Sequence, residues 1–115
     1  MQKKKSILKT ISDIRSILTG HEVGEKRVLL SQKEYLSPIT QIAETHLKEG
    51  LVVEAHTHAT MDEHFIFFQG KCEIILDEES LLCEAGQYLL VPAGISHYIK
   101  VLADTELISI GVATK

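Results

Sequence analysis

Nine short runs rich in Ile, Val, Leu, Phe and Tyr follow one another along this chain: "RVLL", "ITQIAETHL", "LVVEAHTH", "HFIFFQG", "KCEIIL", "LLCEA", "QYLLV", "SHYIKVL" and "ELISIGVA". Turn-forming residues separate most of them, in "SP", "EG", "QG", "DEES", "AG", "PAG" and "AD". β-branched and aromatic runs at this spacing favour strands, and the breaks between them are too short for crossover helices. The chain is therefore expected to be all-β, a sandwich or barrel rather than a βαβ fold. Closing the sheet on itself would remove exposed edges. One early segment differs. Residues 10–20 suit a short helix, with Thr10 as cap, Asp13 three residues on, Gly20 at the exit, and Ile11, Ile14 and Leu18 on one face. The expected organisation is an N-terminal segment with a short helix over 1–24 and a β-barrel over 25–115.

Several function classes are disfavoured by composition. Apolar residues make up 44% of the 115 positions, enough for one packed domain. The net charge of -4 argues against a nucleic-acid surface, and Lys3, Lys4 and Lys5 form the only basic run. Lys9, Asp13 and Arg15 interrupt the early apolar residues before they reach signal-peptide length, and no run approaches a membrane span. The expectation is a soluble cytoplasmic protein. Cys72 and Cys83 have neither redox-pair nor zinc-ribbon spacing. If Leu76 pairs with Leu81 across "DEES", Cys83 lies opposite Ile74 and Cys72 is a diagonal neighbour. Two reduced core thiols are expected.

The chemistry concentrates in "EAHTHATMDEHF", Glu54 to Phe65. His56 and His58 are two apart, so in a strand they share one face, about 6.5–7 Å apart along the chain. "ATMD" makes a turn, and Glu63 opens a returning strand that sets a carboxylate beside two imidazoles. His97 follows the turn at Pro92 and Gly94 and is the best fourth donor. Three neutral nitrogens and one carboxylate suit a single divalent transition metal: iron, manganese, nickel, zinc or copper. A six-coordinate ion would keep two positions for water or substrate.

At these residues the chain resembles the cupin family. "GLVVEAHTHATMDEHFIFFQG" is similar to its first motif, with Gly50, five residues, His56-x-His58, four residues, Glu63, six residues and Gly70. "GQYLLVPAGISHYIKV" is similar to its second, with Gly86, five residues, Pro92-x-Gly94, two residues and His97. The second motif often ends in Asn, where this chain has Val101. Fifteen residues lie between Gly70 and Gly86, as in small single-domain bacterial cupins. The resemblance implies a conical β-barrel of jelly-roll topology. It also implies one metal deep inside, held by His56, His58, Glu63 and His97.

Strand parity places Phe65, Phe67 and Gln69 with Glu63 on the cavity side and Ile66 and Phe68 outside. Gln41 and Thr45 are further polar candidates for the pocket. The outer apolar residues need a cover, either the N-terminal segment or a second copy, and a homodimer is the preferred reading. His64 faces away from the site, Asp62 lies in the turn, His46 could line the mouth, His21 is in a loop, and Tyr35 and Tyr98 are packing residues. Besides a metal that merely stabilises the barrel, disfavoured because structural sites tend to be closed, two functional readings follow. One is a metal-dependent enzyme acting on a small oxygen-containing substrate, of dioxygenase, isomerase or lyase type. The other is a non-catalytic module that uses the same metal to bind a sugar or carboxylate.

Overall fold

A computed structural model describes residues 6–19 and 24–114. Eight strands follow one short 3-10 turn at Ile11–Asp13: β1 (Ile17–Leu18), β2 (Glu25–Ser31), β3 (Ile39–Leu47), β4 (Val52–His56), β5 (Met61–Leu76), β6 (Glu79–Glu84), β7 (Tyr88–Val91) and β8 (His97–Ala113). All pairings are antiparallel, in the order β1-β2-β3-β8-β5-β6, with β4 also on β8 and β7 also on β5.

Two long strands organise the molecule. β5 and β8 pair from Met61↔Ala113 to Leu76↔His97. The last half of β8 is flanked by β5 and β3, whereas its first half is flanked by β5 and β4. The register breaks between Phe67 and Cys72, where Gly70 adopts φ 94. A Cβ at Gly70 would collide with the Asp104 carbonyl and approach Thr105 Cα to 2.6 Å. Glycine thus lets two backbones cross closely while the strand bends between two sheet faces. Between those faces lies a core that includes Val53, Phe65, Phe67, Ile74, Val91, Ile99, Val101 and Leu107.

The bulge reverses side-chain parity. Before it, Phe65 and Phe67 are buried; beyond it, Cys72, Ile74 and Leu76 are. Gln69 lies at the reversal and is exposed, so the alternation that places it in the cavity fails there. Val101 is buried in the core, while its backbone N–H bonds to the Leu51 carbonyl and its own carbonyl accepts from Gly50. At this position the fold needs an apolar side chain and two main-chain bonds, and an amide has no polar role to fill.

Three further expectations are corrected. The sheet is not strictly closed, because β1 and β6, the ends of the strand order, do not pair. A two-residue β1, and Glu79 and Glu84 on β6, blunt those edges. The early helix is only the turn at Ile11–Asp13, whose Thr10 makes no side-chain cap bond. Ile14 is already extended and its carbonyl accepts from Arg27 Nε, after which β1 pairs with β2. Pairing with the sheet outweighs a marginal short helix. Gly20, His21 and the lysine run lie outside the described residues.

The third correction concerns the thiols. A two-residue turn at Asp77 and Glu78, with Asp77 at φ 48, pairs Leu76 with Glu79. Ile74 therefore meets Leu81, and Cys72 stands directly opposite Cys83 rather than diagonally. Both are free and buried. Burial raises the Cys72 thiol, against a hydrogen bond with Thr105; burial and then Cys72 push Cys83 up to about 11. These thiols are held protonated.

Candidate metal centre

Each strand supplies its donor for a local reason. His56 ends β4 and registers directly opposite His97, the first residue of β8. Glu63, near the start of β5, is flanked by Val91 of β7 and Gly111 of β8. His58 lies in the segment after β4. The strands carrying His56 and Glu63 do not form the hairpin expected from "ATMD"; β4 pairs with β8 instead. The donors converge because β8 binds β4 along one stretch and β5 along its length.

Two bonds tie the halves of the site together. The Gly94 N–H donates to the His58 carbonyl at 2.8 Å, and the Ala93 N–H donates to Asp62 Oδ1 at 2.8 Å. Asp62 is therefore not a solvated turn residue. It fastens the Pro92–Gly94 turn to the strand that carries Glu63. Its adjacency to Glu63 was the available signal, but nothing in the sequence names its partner.

Donor atoms of His56, His58, Glu63 and His97 all lie within 4.8 Å of one another. Ligands on opposite sides of an ion with bonds of about 2.1 Å are about 4.2 Å apart, so only a small closure is needed. His56 Nδ1 lies 3.0 Å from the Glu54 carbonyl and His97 Nδ1 3.3 Å from that of Ile95. A carbonyl only accepts, so Nδ1 carries the proton in both rings and Nε2 keeps its lone pair. The His56 and His97 rings are 3.9 Å apart between centroids.

The decisive contact is between acceptors. Glu63 Oε1 and His97 Nε2 are 3.2 Å apart, yet both are buried without a hydrogen-bond partner. The distance alone does not make a bond; the alignment is missing. His58 Nε2 approaches the same oxygen to 3.1 Å. Burial pushes the Glu63 carboxyl up, but His97 beside it and the positive charge that His58, His97 and His56 carry only when protonated lower it overall; with the rings neutral, a cation takes that place. An anionic oxygen facing lone-pair nitrogens in a buried corner fits a cation, which would satisfy all of them.

Around the donors is a cavity of about 250 Å³. Its walls include Phe65, Phe67, Ile99 and Leu107, with Gln41, Thr45, Ser109 and Lys26 as polar members. Gln41, Thr45, Phe65 and Phe67 therefore line it, and Gln69 does not. Lys26 and Ser109 were missed, because their facing depends on the register of β2 and β8 with β3. His46 lies outside, with Nε2 2.9 Å from Glu44 and Nδ1 3.4 Å from Glu106. The hydrogen bond with His46 is the main cause holding the Glu44 carboxyl down, against partial burial and with help from Arg27. His64 is also outside, within 2.6 Å of the Tyr88 hydroxyl.

Comparison with known proteins places this architecture. A predicted oxalate decarboxylase from Thermotoga maritima superposes with a TM-score of 0.80 at 21% identity, over 93% of this chain and 99% of that one. Ectoine synthase from P. lautus gives 0.81 at 18% identity, over 93% and 78%. The cupin domain of Cnp3 from Schizosaccharomyces pombe gives 0.78 at 12% identity, over 96% and 77%. At these identities the likeness shows the fold alone. No curated protein matches this chain by sequence. The cupin domain model matches residues 43–111, more than half of the chain and all four donors, and the chain belongs to that family.

Proposed function

We propose that His56, His58, Glu63 and His97 hold one divalent transition metal and that the chain is an enzyme acting on a small oxygen-containing molecule, of dioxygenase, isomerase or lyase type. The observation that carries this is the pair of buried, partnerless acceptors, Glu63 Oε1 and His97 Nε2, at the wall of a cavity. When bound, such an ion supplies Lewis acidity to a substrate oxygen. The chain's own residues do the rest. The carbonyls of Glu54 and Ile95 fix the His56 and His97 rings. Phe65, Phe67, Ile99 and Leu107 limit water and strengthen every charge interaction in the cavity. Gln41, Thr45 and Ser109 offer hydrogen bonds that orient a polar substrate.

A specific observation favours the second reading, a non-catalytic binding module. Apart from the four donors, the described cavity residues include no carboxylate or imidazole that could act as a separate base. One experiment separates the readings. Metal content is measured on the purified protein, followed by oxygen uptake and turnover of small diketones, thiols and sugar acids. The enzyme reading expects about one ion per chain and turnover that stops on chelation. Ligand-dependent melting shifts without turnover favour the module, and protein that takes up no metal overturns both.

The homodimer is a further proposal. Ile7 and Ile11 border an opening together with Leu29, Leu30 and Ile42, and the described residues leave the outer face open. On that face Phe68 is 59% exposed and Tyr88 58% exposed. Gel filtration with light scattering is expected to read twice the chain mass of 12.8 kDa; a monomer at micromolar concentration rules the dimer out.

A further inference from the structure

Lys26 is the cavity residue that the metal reading leaves without a task. It lies on β2 in register with Thr45, and Thr45 registers with Leu107, which registers with Phe67. All four residues line the cavity. The lysine side chain does not stay on that rung. Its Nζ donates to Gln41 Oε1 at 3.2 Å. Gln41 registers with Gly111, and Gly111 with Glu63. The ammonium therefore leans along the wall toward the rung that carries the metal-ligand carboxylate. Two strand spacings separate Gln41 from Glu63, on the order of 10 Å between backbones.

Charge balance then narrows the ligand. Among the described residues that line the cavity, Lys26 is the one ammonium or guanidinium and Glu63 the one carboxylate. Among the described residues no carboxylate forms an ion pair with Lys26, whereas Lys9, Arg27, Lys71 and Lys100 each have one. A divalent ion offset by Glu63 leaves one net positive charge at that end. Lys26 adds a second, across a space walled by phenylalanine, isoleucine and leucine. Separated like charges in an apolar cavity are costly unless counter-charges come in with the ligand.

We propose that the cavity takes a small dicarboxylate, one carboxylate at the metal end and the other on Lys26, with its carbon chain against Phe65, Phe67 and Leu107. This rests on the metal reading and names the class of molecule that reading leaves open. Lys26 is then a specificity-determining residue. Its ammonium rewards an anionic far end, and Gln41 holds it in place. A neutral ester or amide would leave the ammonium unanswered.

The test is calorimetric binding of glutarate and adipate, and of their monoamides, to the metal-loaded protein. At least one diacid is expected to bind about tenfold or more tightly than its monoamide, as loss of a charge-assisted hydrogen bond implies. Lys26→Gln is expected to remove that preference while metal content and melting temperature stay unchanged. Lys26→Arg is expected to keep it. Equal binding of diacid and monoamide, no binding of either diacid, or an undiminished preference in Lys26→Gln would each overturn the proposal. Metal analysis of the same sample keeps the two readings apart. A metal-free protein sinks the metal centre, whereas a loaded protein indifferent to charge sinks only the dicarboxylate.

Discussion

Glu63→Gln is expected to reduce metal affinity by at least about a hundredfold, since even changes to residues behind a ligand cost about 10–100-fold. The substitution keeps the size of the side chain and removes its charge. It also replaces one acceptor with a donor. In the native chain Glu63 Oε1 and His97 Nε2 face each other at 3.2 Å with nothing to share. An amide there can donate to His97, so the metal-free variant is expected to melt no lower than the metal-free parent, and higher where the new bond aligns. Affinity and apo stability thus move in opposite directions, which distinguishes a lost ligand from general damage. Metal titration followed by thermal melting with and without chelator reads both. Unchanged metal content in Glu63→Gln would count heavily against the centre.

Gly70→Ala carries the largest expected effect on stability. The added Cβ would meet the Asp104 carbonyl and Thr105, and the residue would have to hold φ 94. Main-chain atoms cannot turn aside as a flexible side chain can. A left-handed backbone costs about 1–3 kcal/mol by itself, and steric displacement adds to that. A loss of about 3–4 kcal/mol is expected, enough to lower the melting temperature by about 10 °C or more in a domain of this size. Gly50, also at positive φ (88), has open space around its Cβ position. Gly50→Ala is therefore the control, with the backbone cost but without the collision. Equal melting of the two variants would show that the crossing of β5 and β8 is not closely packed.

The cluster of His56, His58, Glu63 and His97 was legible in the sequence because residue type and spacing are local properties. His56, His58 and Glu63 fall within eight positions, and His97 follows a Pro-x-Gly turn. The all-β class was legible for the same reason. What the sequence could not supply was pairing. Alternation predicts Gln69 in the cavity, but the bulge at Gly70 shifts parity by one residue, and Gln69 is exposed. "DEES" reads as a four-residue loop, yet Asp77 in a left-handed conformation permits a two-residue turn and moves Cys72 opposite Cys83. Lys26 was overlooked because nothing near it in sequence shows which face of β2 is inside. Its facing follows from Thr45, nineteen positions away.

The last strand in chain order, β8, is also the one that borders β3, β4 and β5. Its partners lie far back in the chain, so few of its bonds can form by local zipping. Such topologies reach the native state slowly, because distant segments must meet before either is rewarded. Until β8 docks, the edges of β3 and β4 stay open, His97 has no place, and His56 lacks the strand partner it registers with. Cation capture is thereby tied to the docking of β8, and a chain in which that strand has not yet paired would compete poorly for metal.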